Sequence, residues 1–365
     1  MKFLIVRMWP DVINVNSYNC QELGLAKALI RMGHSCDVVL YTNKKESYED
    51  DYEFDGKNIH IFHLKAKKFL KNCFFEKKLY QIAKNYDIVQ SSEYDQLGNL
   101  LLKKHCKKMV IYHGPYKSMY TLKYNIKCLL SDFIYLFNSN YKKTQFLAKS
   151  NLAKEFLNKK GFKNVETIGV GLDADMLVNN LHCSNDVEKI IDNKNKYGYK
   201  YLLYIGKIEQ RRNILFLIKL FSSVVKQDER ARLVMVGKGN KNYIYKVKKL
   251  INKLDLKDKV VYMESLPQRE ISYLYENSSV FLLPTRYEIF GMVILESVYY
   301  GLPIITTLNG GSSTVKSELI HISNLNNMNE WINSCLDILK DSKPFTDKIN
   351  LSWDEIALHY IKLLK

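Results

Sequence analysis

The chain lacks any apolar run approaching the eighteen or so residues that cross a bilayer, which excludes a helical membrane-spanning protein. In the opening MKFLIVRMWPD the apolar run is only Phe3 to Val6, and no small-residue cleavage site follows. It therefore reads as a first strand, and a cytoplasmic location is expected. The seven cysteines, Cys20, Cys36, Cys73, Cys106, Cys128, Cys183 and Cys335, stand far apart without a C-x-x-C pair, which removes zinc and dithiol chemistry and leaves reduced thiols. Tandem repeats are absent, as are helix-turn-helix, zinc-finger and RNA-binding signatures. Acids are scarce relative to bases, 38 against 55, for a net charge of +17.

What is present is ordinary globular material in quantity. With 365 residues and 47% hydrophobic content, the chain exceeds what one core organises, so two domains are expected. The charge is uneven, +12 over residues 1–170 and +5 over the rest. Residues 101–149 hold ten lysines and one acid, Asp132, and Lys65 to Lys84 holds seven lysines among Phe69, Phe74, Phe75 and Tyr80. Solvated lysine-rich faces explain this, and so does attraction to an anionic membrane surface or a phosphorylated acceptor, with Lys65, Lys67, Lys68 and Lys71 as the contributors.

Short β-branched or aromatic runs alternate with helix-period segments along the whole chain, the pattern of βαβ units. Strands are expected at Lys2–Met8, Cys36–Tyr41, Ile59–Leu64, Asp87–Gln90, Met109–Tyr112 and Val165–Ile168. In the second half they are expected at Tyr201–Ile205, Leu233–Val236, Val260–Met263, Val280–Leu283 and Ile304–Thr306. A helix over Glu22–Met32 repeats Leu23, Ala26, Leu29 and Ile30 at helical spacing before Gly33. This gives an α/β fold of two Rossmann-like doubly wound domains facing a central cleft, where ligands bind at the carboxyl ends of strands. The divisions are residues 1–170, residues 171–350, and a last helix, residues 351–365.

The segment from Pro284 to Pro303 starts as a buried strand ends, turns at Gly291 and continues as a helix stopped by Gly301 and Pro303. A helix N-terminus in that position carries open N–H groups and roughly half a positive charge, which suits a phosphate. Glu288 precedes the turn, and Glu296 lies more than a helical turn beyond it. Two solvated acids on a capped surface helix would produce the same spacing. The context, with Pro284, Phe290-Gly291 and Gly301-Leu302-Pro303, resembles the Glu-x7-Glu motif of retaining family 4 glycosyltransferases of the GT-B fold. The likeness runs from the first strand to the last helix, residues 351–365, which the resemblance implies crosses back onto the first domain.

Carried over residue by residue, that resemblance gives Glu288 the hydroxyls of the donor sugar and Glu296 the ribose. Phe290, Gly291 and Met292 form the turn and helix start at the nucleotide. Tyr204-Ile-Gly206-Lys207-Ile-Glu209-Gln-Arg211-Arg212 is similar to the family's strand-end cation pair, so Lys207 and Arg212 are expected on the donor diphosphate, with Arg211 pointing elsewhere. The order of cations is reversed from the family's usual Arg then Lys, which moves any bidentate contact to Arg212. A basic surface loop is the alternative. His113, at the end of a strand, matches the histidine that reaches the donor sugar, and Leu266 in Ser265-Leu266-Pro267 falls where backbone groups hold the base. Thr167 to Asp173 resembles the interdomain segment. Two departures stand out: Val12 to Ser17 has no glycines, leaving polar contacts to Asn14, Asn16 and Ser17, and Thr314-Val315-Lys316 replaces the acidic, glycine-rich continuation after Gly310-Gly311-Ser312-Ser313.

The resemblance implies transfer, with retention, from a nucleotide-sugar, UDP-sugar by default, to a saccharide acceptor; the basic first half points to a lipid-linked one, as in cell-surface polysaccharide or glycan synthesis. No cofactor or metal is expected, since Asp173-Ala-Asp175 lies at the linker and the cations with the helix dipole offset the leaving charge. A nucleotide-sugar epimerase of the same fold, or a noncatalytic membrane-recruiting module, are the alternatives, and nucleic acid is not an expected partner.

Overall fold

The structure is a computed structural model that describes residues 1–69, 72–136, 138–173, 177, 184–340 and 352–364. It divides into two compact units, Met1–Asp173 with Leu351–Lys365, and Ala174–Asn350.

The first unit is built on β1 (Lys2–Val6), β2 (Ser35–Tyr41), β3 (Tyr48–Phe54), β4 (Lys57–Leu64), β7 (Ile88–Ser92), β8 (Lys108–His113), β9 (Gln145–Ala148) and β10 (Val165–Thr167), with a separate hairpin of β5 (Ala66–Phe69) and β6 (Asn72–Phe75). The sheet order is β10-β9-β8-β7-β1-β2-β4-β3. All pairings in it are parallel except the edge pair β3–β4. Leu4, Val6, Val39, Val89 and Ile111 are fully or almost fully buried, because a sheet with parallel crossovers is covered on both faces and its strands read as apolar runs. Each such side chain contributes about 1.5–3 kcal/mol by leaving water. Helix Gln21–Arg31 ends in a Schellman arrangement, with Gly33 N–H on Ile30 O and His34 N–H on Leu29 O. The last helix, Trp353–Leu364, packs on it: Arg31 Nη1 meets Asp354 at 3.1 Å, and Trp353 Nε1 donates to Asn19 Oδ1 at 3.3 Å.

The second unit contains β11 (Lys200–Ile205), β12 (Ala231–Val236), β13 (Val260–Met263), β14 (Val280–Leu283), β15 (Ile304–Thr306) and β16 (Ile320–Ile322). They form one all-parallel sheet in the order β13-β12-β11-β14-β15-β16. Numbered within the unit, that is the 3-2-1-4-5-6 order of a dinucleotide-binding sheet, whose direction of winding reverses between β11 and β14. Leu217, Ile218, Leu220 and Phe221 of helix Ile214–Val225 fill one side of the core, and Trp331 and Cys335 of helix Met328–Lys340 join it.

Candidate functional site

The reversal point of the second sheet gathers the charged residues. Beyond β11 the chain runs through Gly206 and Lys207 into a 3-10 turn, Gln210–Arg212, and beyond β14 it runs from Pro284 to Gly291. The two loops are tied by the Arg286 N–H donating to Arg211 O at 2.9 Å. Arg211 adds Nη1 to Tyr287 O at 2.5 Å and to Glu288 Oε2 at 3.2 Å, with Nη2 on Glu209 Oε1 at 2.8 Å. Arg212 Nη1 also contacts Glu288 Oε2, so one carboxylate oxygen stands between two guanidiniums.

Burial alone would lower the Arg211 pKa, but Glu288 and Glu209 outweigh it and hold the group above its ordinary value. The expectation that Arg211 points away is corrected here. The carbonyl of Tyr287 and the two acids draw it into the cluster, a contact made by neighbouring loops and invisible in the spacing of the cations. Arg212 keeps its Nε buried with no hydrogen-bond acceptor among the described residues, and Lys207 is exposed at the strand end.

Helix Met292–Tyr299 begins directly after this cluster. Gly291 adopts φ +86° as its N-cap and, as a glycine, brings no side chain to cap the first turn. Any other residue there would be strained, and a Cβ would also press on Glu288 Cγ at 2.9 Å. Gly310 closes on the same turn: its N–H donates to Glu288 O at 3.1 Å, and a Cβ would lie 1.7 Å from Ile289 O. Phe290 is buried and Met292 half-buried. Glu296 is buried inside the helix, and its Oε2 accepts from Tyr275 Oη at 2.6 Å. Leu266 is half-buried in the loop after β13. The structure therefore brings Glu288 and Arg212 into contact and sets Glu296 on a separate partner, Tyr275.

In the first unit His113 ends β8 and is completely buried. Its Nδ1 lies 2.7 Å from Glu93 Oε2, its ring stacks on Phe156 and meets Tyr94 edge-on, and Nε2 has no hydrogen-bond partner among the described residues. Glu93 has φ +61°, uncommon for a residue with a Cβ. Burial opposes its ionisation. The His113 hydrogen bond and charge, Lys149 and the Gly114 N–H override that and hold the carboxyl below its ordinary pKa.

Glu93, Asp95 and His113 are the one group among the described residues with three metal-type ligand atoms within 4.8 Å. Lys127 Nζ stands 2.6 Å from Asp95 and Lys149 Nζ 3.9 Å from Glu93, so the chain's own ammonium groups already offset this charge. In the first loop Asn14 and Ser17 bond within the loop itself, Asn14 Oδ1 accepting from Asn16 N and Ser17 Oγ donating to Asn14 O. Lys65, Lys67 and Lys68 are exposed, while Lys71, Asp175 and Cys183 lie outside the described residues.

Comparison with known proteins decides the kinship. Residues 186–348 match the family model "Glycosyl transferases group 1", and residues 23–176 match "Glycosyltransferase Family 4". The chain belongs to glycosyltransferase family 4. An uncharacterized glycosyltransferase of Methanocaldococcus jannaschii is 25% identical over 333 residues, 83% of this glycosyltransferase and 78% of that protein. The alpha-monoglucosyldiacylglycerol synthase of Streptococcus pneumoniae is 24% identical over 77% of this chain and 65% of its own length. Against the probable sucrose-phosphate synthase 1 of rice, the match spans 12% of the longer protein.

Among solved structures, sucrose-phosphate synthase from Thermosynechococcus elongatus superposes with a TM-score of 0.74 at 15% identity, covering 100% of this glycosyltransferase and 98% of that chain. Anabaena HepE in complex with UDP-glucose gives 0.67 at 13% identity, covering 100% and 99%. At such identities the likeness is one of fold, and the fold is GT-B. No helix among the described residues is long and apolar enough to cross a membrane.

Sequence reasoning did not single out Glu93, Asp95, Arg211 or Tyr275 as site residues. Glu93 had one usable signal, an acid immediately after a strand's carboxyl end. Tyr275 had none, because it reaches Glu296 from the separate helix Gln268–Asn277.

Proposed function

We propose that this glycosyltransferase moves a sugar from a UDP-sugar to a saccharide acceptor carried on a lipid, with retention of configuration and without a metal ion. One observation carries the reading: Lys207, Arg212, Glu288 and a helix N-terminus all lie at the reversal point of a 3-2-1-4-5-6 sheet, with Arg212 and Glu288 in contact. In this reading the diphosphate accepts from Arg212 Nε, which finds no acceptor among the described residues. Lys207 and the helix N-terminus meet its other oxygens. Glu288, already oriented by Arg211 and Gly310, accepts from sugar hydroxyls, and Glu296 exchanges or shares its Tyr275 bond with the ribose.

The reaction breaks the bond from C1 to the diphosphate oxygen, and the electron pair goes to the diphosphate. The acceptor oxygen bonds C1 from the same face and gives its proton to the departing phosphate oxygen. Negative charge grows on the diphosphate as the bond breaks, so fixed cations stabilise the transition state more than the bound donor. Two relatives support the substrate classes: the HepE structure holds UDP-glucose, and the pneumococcal relative is named as a synthase of a glucosyl lipid. The test is a panel of UDP-, GDP- and ADP-sugars measured for saturable binding and slow hydrolysis. UDP-sugars should bind and turn over, and an absence of saturation with all three would defeat the proposal.

A further inference from the structure

Helix Leu122–Leu136 is apolar on both sides. One side turns Cys128, Ser131 and Tyr135 inward, where Tyr135 Oη donates to Tyr94 O at 2.5 Å. At 100° per residue, Leu122, Ile126, Leu129, Leu130 and Phe133 fall on the opposite arc, and with Met119 just before the helix they are 55–84% exposed. Water-facing arcs of helices are ordinarily polar, and a contiguous set of large apolar side chains marks a surface that something covers.

Charge narrows what covers it. Lys123 lies on the same arc, within a turn of Ile126, and Lys117 is exposed two residues before Met119. Asp132, the single acid of residues 101–149, is already paired with Lys160. A second copy of the chain docked here would press like charges together. An anionic bilayer instead takes the apolar side chains between its headgroups and meets the lysines with phosphate, while their methylene stems stay in the apolar layer.

We infer that the helix Leu122–Leu136, with Met119, is a membrane-docking surface that lays the first unit on an anionic lipid bilayer. The inference gives the lipid-carried acceptor of the proposed reaction a place to be presented, yet it stands on exposure and charge and not on the chemistry.

The test is co-sedimentation of the full chain with sucrose-loaded vesicles of phosphatidylglycerol and phosphatidylcholine, and with phosphatidylcholine alone. The wild-type chain should pellet with the anionic vesicles and weaken as salt rises. The double substitution Leu129→Asp with Phe133→Asp should lower partitioning at least about tenfold. Lys117→Glu with Lys123→Glu should lower it severalfold. The apolar variant should keep the wild-type melting temperature and its donor hydrolysis in lipid-free buffer, since both side chains face water. Wild-type pelleting by that variant, equal pelleting with neutral vesicles, or no pelleting at all overturns the inference. So does a concentration-dependent dimer, without vesicle binding, that the same substitutions dissolve. Vesicle binding without donor hydrolysis would leave this surface standing and sink the reaction.

Discussion

Removing Arg212 separates a diphosphate-binding cation from a structural one. In the ligand-free chain its guanidinium shares Glu288 Oε2 with Arg211, which lies 3.2 Å away and remains in Arg212→Ala. Glu288 is therefore not left as an uncompensated charge, and the loss of stability should fall well below the roughly 3–5 kcal/mol that stranding a buried ion costs. The effect on rate should be far larger. Removing one preorganised group aimed at developing charge costs about a hundredfold to a thousandfold, or roughly 3–4 kcal/mol. Lys207→Ala should lose about a hundredfold for the same reason, with little change in stability because the side chain is exposed. Arg212→Lys should recover part of the loss, since it restores charge but not the planar fork. Arg211→Ala should cost about tenfold in kcat/KM and more in stability, because it releases the Tyr287 carbonyl and one anchor of Glu288, contacts between charged groups worth roughly 1.5–3 kcal/mol. The assay is kcat/KM for transfer or donor hydrolysis alongside thermal melting. A loss under threefold for both Arg212→Ala and Lys207→Ala would refute the diphosphate assignment, and a loss confined to Arg211→Ala would shift the site by one residue.

Glu288→Gln should keep UDP affinity within a few-fold and lose transfer, whereas Glu296→Ala should weaken UDP itself; indistinguishable UDP affinities by titration calorimetry would undo that division of roles. EDTA should leave turnover unchanged, and abolition by EDTA with recovery in manganese or magnesium would show that a metal ion supplies part of the compensation. On the first unit's edge, burial of His60 opposes its protonation, but hydrogen bonds to Asp51 at 2.7 Å and Glu49 at 2.8 Å raise its pKa above the ordinary 6.5. That contribution to stability should be fully present below pH 6.5 and fade as pH rises through the raised value, so His60→Gln should lower urea midpoints in mildly acidic buffer and have little effect at pH well above it.

The central strands were legible because strands buried on both faces must be largely apolar, as β1, β11, β12, β14 and β15 are. Strand β3 was not, since Tyr48–Phe54 reads YEDDYEF and acids are depleted in strands. It forms as an antiparallel edge strand because tertiary contacts compensate: Lys78 meets Glu49 at 2.6 Å, and His60 spans Glu49 and Asp51. Strands β9 and β16 were not legible, since QFLA holds no β-branched residue and IHI is broken by His321, whereas the equally short β14 and β15 are continuous apolar or β-branched runs. At the site, Lys207, Arg212 and Glu288 lie just beyond two strand ends, those of β11 and β14, that the topology makes adjacent. The pairings between them were not legible. That Arg211 joins Glu288, that Glu296 bonds Tyr275 and that His113 bonds Glu93 all depend on contacts across loops or strands, which spacing along one segment does not encode. The apolar outer arc of Leu122–Leu136 was hidden for a similar reason, because only packing tells which side of a helix with apolar residues on both faces meets water.

The measurement that bears most directly on glycosyl transfer at this site follows the sugar itself. An α-linked UDP-sugar labelled at C1 is incubated with the full chain and a lipid-linked saccharide, and the anomeric carbon is followed by NMR in the wild type and in Glu288→Gln. The account predicts a new α-linkage in the wild type, UDP released in equal amount, and a loss of about a hundredfold or more in the variant while UDP still binds. A β-linked product, an epimerised donor with no new linkage, or equal rates in the two proteins would contradict it.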